Sequence, residues 1–381
     1  MHEPSSHGTP RPEVLEGAAV RRPLADPARD APGAGRRETQ TTTPLNVRNV
    51  ETAPEALGPL LTPTRGFFIR SHLPAPQLRA STWRFSVGGA VAEPRKWTLP
   101  ELAALPQTRL VATLECAGNS RRRLPTAAPG ELRWGDHAVG SAVWEGVLLG
   151  RLLEEARPLP GAREVVFRGA ETGAPSSAVQ GFSRSLAVDL AAGGEPVLVA
   201  TKMNGEPLPP DHGWPARLVV PGWYGMAWVK WLAAATVRRT PFRGYYQASR
   251  YVYQYERDGR RLVEPVTRLR VKSLILSPTE GAPLTLGQAY VVSGRAWGGH
   301  GPVVRVEVDV GTGWEPAALH PGDGPHDWSS WEFPWTPGRS GACRLRVRAT
   351  DARGETQPEQ PFLNDFQYGT NTIHSVEVRV R

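Results

Sequence analysis

The chain has 381 residues, a length that favours two domains over one. Its 13 Trp and 40% hydrophobic content can form a core, while 40 Gly and 38 Pro favour turns and short strands over long helices. The net charge of +8 is compatible with nucleic-acid binding, but the sequence has no zinc-finger or helix-turn-helix motif and no apolar stretch of membrane-spanning length, so we expect neither a nucleic-acid nor a membrane partner.

The first segment, residues 1–44, is rich in Pro, Gly, Ala and charge and shows no hydrophobic period. Such a segment cannot bury enough apolar surface to offset the entropy of ordering, so we predict a disordered tail. Its twin arginine, Arg21-Arg22, is followed by no apolar region, which argues against an export signal. We therefore expect a cytoplasmic location.

An extended segment at residues 66–76 places Phe68, Arg70 and His72 on one face, because alternate residues of a strand share a face. The two basic groups can form an anion-binding edge, or they can be a chance pair on a solvated edge strand. Residues 82–91 then predict a strand. Thr98 and Glu101 form a capping box that predicts a helix over 98–105.

A single cysteine follows the strand predicted at residues 109–115. Cys116 precedes small, turn-forming residues and then three arginines, of which Arg121 is the first. Nearby cations and backbone N–H groups would favour its thiolate, and soft sulfur suits a redox metal. Free cysteine is also among the most buried residue types, so the alternative is a structural core residue. The second cysteine, Cys343, lies on a predicted strand and fits that structural interpretation.

Further elements follow in chain order. We predict loop and turn at 134–136 and 141–147, a helix at 148–156, and strands at 163–168, 197–203 and 218–220. Between the last two strands, three prolines and a glycine stiffen the backbone around His212 and Arg217. Preorganised cation and imidazole donors suit a phosphate-bearing ligand, although the segment can equally be a rigid structural turn. Lys230, one of four lysines, follows beside glycines that allow a ligand close to the backbone.

From about residue 269 the sequence pattern changes to closely spaced, strand-like segments. Six segments read as strands: 269–275, 289–297, 304–310, 328–335, 343–350 and 375–380. Val304, Val306, Val308 and Val310 alternate with polar residues, which predicts a half-buried sheet face. The spacing indicates a β-sandwich of immunoglobulin-like architecture.

These motifs together resemble the sulfite oxidase family of molybdopterin enzymes, almost continuously from about residue 45 to the end. The resemblance rests on FFIRSHLPAP (67–76), LECAGNSR (114–121), WGDHAVGSAVWEGV (134–147), MNGEPLPPDHGWPARLVVPG (203–222) and VKWL (229–232). It implies an α+β fold, with a mixed α/β molybdopterin-binding domain at residues 45–262. An immunoglobulin-like dimerisation domain would follow at 263–381.

The resemblance also implies the cofactors, molybdenum and molybdopterin, and makes Cys116 the protein ligand of the metal. Residues at the family's cofactor-binding positions are Phe68, Arg70, Ser71, His72, Cys116, Glu171, His212, Arg217, Trp228, Val229 and Lys230. Those at its catalytic positions are Cys116, Arg70, Arg121, Trp134 and Tyr251. Glu171 stands where an aspartate is usual. Ser375 stands where an arginine commonly reaches the substrate pocket, and its loss would weaken the binding of a small dianion.

The activity implied is the oxidation of sulfite to sulfate by oxo transfer in a homodimer. The sequence carries no haem-attachment motif, so we expect the electrons to pass to an external acceptor. One alternative is a related molybdenum oxo-transferase that acts on a sulfoxide or nitrate. Another is a cofactor-free dimeric binding protein of the same fold. That protein would be expected to lack Cys116 or His212, and both are present.

Overall fold

The computed structural model describes residues 47–173 and 181–381. The predicted tail at 1–44 and the twin arginine lie outside the described residues. The described residues form one compact unit. Among the described residues, no helix is long and apolar enough to cross a membrane.

The first part of this unit contains two sheets. Its strands are β1 (Arg84–Gly89), β2 (Arg95–Thr98), β3 (Thr108–Glu115), β4 (Val139–Leu148), β5 (Glu164–Gly169), β6 (Ser183–Ala187), β7 (Leu198–Met203), β8 (Glu206–Pro207), β9 (Arg217–Val219) and β10 (Leu232–Arg238). One sheet has the order β2-β1-β10-β5-β6, with β1 and β10 parallel. The other has the order β3-β4-β7-β8, and β9 also pairs with β7. Both sheets contribute to one hydrophobic core.

The helices are short. The α-helices are α1 (Leu99–Ala104) and α2 (Leu149–Ala156). Thr98 and Glu101 form the predicted capping box of α1, and α2 buries Leu149, Leu152 and Leu153. Single 3₁₀ turns occur at Pro54–Leu57, Thr64–Gly66, Arg121–Arg123, Pro210–His212 and Gly225–Ala227, and π-helical turns at Leu190–Gly194 and Tyr246–Arg250.

The prediction of loop and turn at 141–147 is wrong, because these residues lie in the ten-residue strand β4. Two glycines of β4 lie very close to neighbouring elements. A Cβ on Gly140 would lie 2.7 Å from the ring of Phe67, and one on Gly146 would lie 2.1 Å from the Val199 carbonyl oxygen. The glycines therefore allow close packing inside a central strand rather than a turn.

The second part begins with a hairpin, β11 (Val252–Arg257) and β12 (Arg260–Pro265), and continues as a β-sandwich. The sandwich strands are β13 (Lys272–Ser277), β14 (Pro283–Leu284), β15 (Tyr290–Trp297), β16 (Val303–Asp309), β17 (Trp314–Pro316), β18 (Ala318–His320), β19 (Ser329–Trp335), β20 (Gly341–Asp351) and β21 (His374–Val380). Its two sheets have the orders β13-β15-β19-β18 and β14-β21-β20-β16-β17. The six predicted strands are present, and they enclose a second hydrophobic core.

The predicted alternation along β16 holds at Val306, Val308 and Val310 but fails at Val304, which is 56% exposed. A shift of register between Val303 and Arg305 against β20 accounts for this, because one extra residue turns the following side chain to the other face.

The sandwich lies directly against the sheet that carries Cys116. The Thr113 amide of β3 donates to the His326 carbonyl at 2.8 Å, and the Trp328 indole donates to the Leu60 carbonyl at 2.7 Å. The Gly369 amide donates to the Ala117 carbonyl at 2.8 Å. The second part of the chain therefore helps to position the loop that follows β3.

Candidate active site

The loop that carries Cys116 is fixed by buried hydrogen bonds. The Cys116 amide donates to the Ala138 carbonyl at 2.9 Å, and the Asn119 amide donates to the Cys116 carbonyl at 2.9 Å. The Asn119 side chain accepts from the Ala138 amide at 3.0 Å and donates to Glu115 at 2.9 Å. Ser120 follows in the left-handed region, with φ of 69°. The cysteine is thus held at the end of β3 with its backbone largely bonded.

Cys116 lies on the wall of a cleft. Burial raises the pKa of its thiol, and this effect outweighs the positive charges of Arg70 and Arg121, which lower it. The expectation of thiolate-favouring surroundings is therefore wrong for the ligand-free protein, since desolvation dominates. A metal would displace the proton, because metals bind the thiolate form.

Basic groups also line the cleft. The Arg217 guanidinium donates to the carbonyls of His212 and Trp228, each at 3.2 Å, and lies 5.0 Å from the ring centre of Trp144. Its Nε has no hydrogen-bond partner among the described residues. The Lys230 ammonium donates to the Ser71 hydroxyl at 2.6 Å and to the Asp211 carbonyl at 2.9 Å. The predicted phosphate-binding side chains therefore converge.

Burial and mutual repulsion depress the pKa values of these bases. Burial lowers the pKa of Arg217 to about 9, and that of Lys230, which also faces Arg217, to about 7. Burial and the charges of Arg217 and Lys230 lower the pKa of His212 to about 3. A bound anion would offset this repulsion, so the cleft is suited to one.

Glu171 is the buried acid on the same wall. Burial raises the pKa of its carboxyl group to about 7, and its Oε2 has no partner among the described residues. Gly169 makes room for it, because a Cβ there would lie 1.8 Å from Oε2. With a pKa of about 7 the carboxyl group is partly protonated at neutral pH, and the protonated form can donate a hydrogen bond to a ligand, which the ionised form cannot.

A third set of side chains on the cleft wall consists of Arg70, His72 and Tyr251. The Arg70 guanidinium lies 3.0 Å from the Nδ1 atom of His72, and the Tyr251 hydroxyl lies 2.6 Å from its Nε2 atom. Burial and Arg70 lower the pKa of His72 well below its usual range, so the imidazole is neutral. Ser71 and Phe68 complete this wall, and the Ser71 amide donates to the Asn49 side chain at 3.0 Å.

Arg121 lies behind the cleft rather than on its wall. It forms a buried ion pair with Glu131 at 2.8 Å, and its Nε and Nη2 atoms donate to the Phe366 carbonyl at 3.0 and 2.7 Å. Nothing in the sequence around Glu131 indicated this ion pair.

Three further predicted positions also lie off the cleft wall. Trp134 is buried, and its indole N–H has no partner among the described residues. Val229 is buried, and its carbonyl accepts from the Leu218 amide at 2.8 Å, whereas the neighbouring Trp228 does line the cleft. Ser375 lies on β21 opposite Arg346 of β20. Sequence reasoning did not assign Phe182, Asp211 or Met226, all of which line the cleft.

The residues present fit a phosphate-bearing molybdenum cofactor. The Nε atom of Arg217 has no hydrogen-bond partner among the described residues, and the basic side chains near it repel one another, so an anion would bind favourably there. Cys116 provides a soft sulfur ligand in the same cleft. No cluster of three His, Cys, Asp or Glu residues in the described ranges could hold a metal ion. A metal at Cys116 would therefore take further ligands from a bound organic group.

Two family models match this chain. The oxidoreductase molybdopterin binding domain matches residues 72–246, and the Mo-co oxidoreductase dimerisation domain matches residues 263–381. The first match contains most of the cleft, including Cys116, His212 and Lys230.

Curated relatives extend the match along the chain. Sulfite oxidase of Gallus gallus is 33% identical over 321 residues, which cover 78% of this chain and 68% of the relative. Mitochondrial sulfite oxidase of Rattus norvegicus is 32% identical over 353 residues, which cover 87% of this chain. The matched region spans 64% of the rat protein's own length.

A solved structure is also similar. The sulfane dehydrogenase SoxCD of Paracoccus pantotrophus matches with a TM-score of 0.74 and 25% identity, covering 91% of this chain and 94% of the matched one. The cleft, the two family models and these relatives agree: this chain belongs to the sulfite oxidase family of molybdopterin-dependent oxidoreductases.

Proposed function

We propose that this protein oxidises sulfite to sulfate and passes the electrons to an external acceptor. The observation that carries the proposal is the placement of Cys116 and of the basic group Arg217, Lys230 and His212 on one cleft. The reaction consumes sulfite and water and yields sulfate, two protons and two electrons. The molybdenum cofactor, when bound, supplies the oxo-transfer and two-electron chemistry.

The chain's own residues hold the cofactor and orient the substrate in this proposal. Arg217, Lys230 and His212 bind the phosphate, which relieves their mutual repulsion. Cys116 supplies the thiolate ligand on its fixed loop. Arg70 attracts the substrate oxyanion, because its guanidinium lines the cleft beside Cys116.

Tyr251 positions His72 in the same group. Its hydroxyl lies 2.6 Å from the Nε2 atom of the neutral imidazole, so the two rings fix each other's orientation. Burial raises the pKa of Tyr251, so its hydroxyl keeps its proton and can donate a hydrogen bond.

The test compares the two cysteines. Cys116→Ser should abolish sulfite-dependent reduction of an artificial electron acceptor and lower the molybdenum content of the purified protein. Cys343→Ser is the matched control, because its buried thiol lies on β20 in the sandwich. Parental turnover in Cys116→Ser would contradict the proposal. Molybdenum without sulfite turnover in the parental protein would retain the cofactor assignment and remove sulfite as the substrate.

We further propose a homodimer formed through the sandwich, supported by the match of residues 263–381 to a dimerisation domain. We also propose a cytoplasmic location, which cell fractionation would test.

A further inference from the structure

A buried carboxylate lies between two arginines behind the cleft. Glu131 is 2.8 Å from Arg121 and forms a second ion pair with Arg250. The side chains of Arg121 and Glu131 are 3% and 4% exposed, and that of Arg250 is 18% exposed. The three groups, which we call the Glu131 triad, together carry one positive charge instead of two.

Most N–H donors of the Arg121 guanidinium already have partners within the protein. Of its five N–H donors, two bond to the Phe366 carbonyl. Its Nη1 atom donates to the Leu132 carbonyl at 3.2 Å and contacts Glu131. One N–H therefore remains, and the guanidinium is not on the cleft wall. Its effect on a substrate is mainly electrostatic.

The triad is close enough for its field to reach the cleft. Gly118, two residues after Cys116, packs on Arg121, since a Cβ there would lie 2.6 Å from Nη1. The Arg121 guanidinium lies 4.7 Å from the ring centre of Tyr368, which stacks on Tyr251 at 5.1 Å. Glu131 and Arg250 shift the pKa of Tyr251 in opposite directions. One aromatic ring thus separates the triad from the cleft wall.

We propose that Glu131 sets the charge selectivity of the substrate site, so that it favours monoanionic sulfur substrates, such as organic sulfinates and hydrogen sulfite, over the sulfite dianion. This inference rests on the proposed sulfur oxidation. The sulfinate reaction balances as RSO₂⁻ + H₂O → RSO₃⁻ + 2 H⁺ + 2 e⁻. One sulfur–oxygen bond forms from the sulfur lone pair, both O–H bonds of water break, and the external acceptor takes the electrons.

The test measures a ratio of specificities on the holoenzyme. Sulfite, at a pH where it is fully ionised, is compared with methanesulfinate. Glu131→Gln removes one negative charge, so the net positive charge of the Glu131 triad rises from one to two. The Coulomb energy between the triad and a ligand scales with the charge of the ligand, so a dianion gains more than a monoanion. The ratio of kcat/KM for sulfite to that for methanesulfinate should rise about tenfold. Loss of folded protein would lower both values alike and leave the ratio unchanged.

A second variant changes the charge of the Glu131 triad in the opposite direction. Arg250→Met removes one positive charge and leaves Glu131 paired with Arg121, so the same ratio should fall. Glu264→Gln and Arg257→Met are matched controls on the hairpin, where Glu264 accepts from the Tyr255 hydroxyl at 2.9 Å. Neither control should change the ratio. A ratio that moves in the same direction in Glu131→Gln and Arg250→Met, or in neither, would overturn the proposal.

A binding measurement separates this inference from the proposed function. Sulfate and methanesulfonate, the two products, should raise the melting temperature of the holoenzyme, and Glu131→Gln should enlarge the sulfate shift more than the methanesulfonate shift. If the parental enzyme oxidises neither substrate, the proposed function fails, and the two product shifts still decide the role of Glu131. Equal changes in both shifts would contradict it.

Discussion

Burial shifts the pKa values of two side chains on the cleft wall towards neutral pH. Lys230 has its pKa lowered from 10.5 to about 7, whereas Glu171 has its pKa raised from 4.5 to about 7. Both shifts are caused mainly by desolvation, which penalises the charged form of either group. Burying the charged form of either group therefore lowers the free energy of unfolding when no ligand offsets the desolvation.

We predict that Lys230→Met removes a pH dependence of stability in the ligand-free protein. Between pH 7 and 10.5 the unfolded chain binds a proton at Lys230 that the folded chain has lost, so stability rises with pH in this window. The slope is at most about 1.4 kcal/mol per pH unit. Denaturant unfolding from pH 7 to 9 measures it.

The control for this prediction is Lys202→Met, because Lys202 is 50% exposed and lies 3.9 Å from Glu145. Its profile should match that of the parental protein. A parental slope that persists in Lys230→Met would contradict the assignment of the slope to Lys230.

The sequence correctly predicted that several residues line the cleft, but it did not predict that Arg121 lies behind the cleft wall. Cys116, His212 and Lys230 lie in short segments with recognisable local motifs, and all three side chains line the cleft. Arg121 depends on Glu131 and on the Phe366 carbonyl, which lies 245 residues away. No local pattern encodes such a long-range partner.

Between elements, a buried polar network joins β3 to the sandwich. Glu115, the last residue of β3, accepts from Lys272 of β13 and from the Trp297 indole of β15, each at 2.9 Å. Glu115 and Lys272 are 1% and 3% exposed. Because Glu115 also accepts from Asn119, this network fixes the cysteine loop from behind.

We predict that Lys272→Met destabilises the protein by roughly 3–5 kcal/mol, because it leaves the Glu115 carboxylate buried without a counter-charge. Chemical unfolding measures the loss, and Lys96→Met on exposed β2 is the control. The double variant Glu115→Gln, Lys272→Met should recover part of the loss, since no unpaired charge remains. A Lys272→Met protein as stable as the control would contradict the prediction.

A second prediction concerns the glycines of β4. Gly146→Ala should destabilise the protein by about 1–3 kcal/mol or more, because its Cβ would lie 2.1 Å from the Val199 carbonyl oxygen. Gly88→Ala in β1 is the matched control, since a Cβ there meets nothing within 4 Å. Thermal unfolding compares the two variants. Equal melting temperatures would show that β4 and β7 can separate to admit the methyl group.

Strand β4 also shows where sequence patterns fail between elements. The loop and turn predicted at 141–147 contains Gly146, and glycine usually indicates a turn. In the structure Gly140 and Gly146 instead allow the close approach of Phe67 and of β7. The capping box of α1 succeeded because its two hydrogen bonds join residues three apart.

At the scale of the whole molecule, the order of the two parts follows from the sequence. Alternation of apolar and polar residues from about residue 269 predicts the sandwich strands, because one face of each packs on the second core. The contacts between sandwich and cleft were not predicted, since they depend on tertiary partners such as Lys272 and Glu115. Resemblance to a family identified the site where periodicity could not.

We predict a homodimer at micromolar concentration, formed through the sandwich. The reason is the match of residues 263–381 to a dimerisation domain. Sedimentation velocity of the full chain measures the mass, and 41.5 kDa is the value for one chain. A species of that mass at every concentration would refute the prediction.

The hydrogen bonds between the sandwich and the cysteine loop have a consequence for modular exchange. Two family models divide the chain near residue 263, yet Glu115, Ala117 and Arg121 all have partners beyond that point. A chimera that took its sandwich from a relative would keep these hydrogen bonds to the cysteine loop only if the graft supplied an amine at the position of Lys272 and main-chain partners at the positions of Phe366 and Gly369. An exchange at the boundary between the two family models would therefore have to preserve these partners of the cysteine loop.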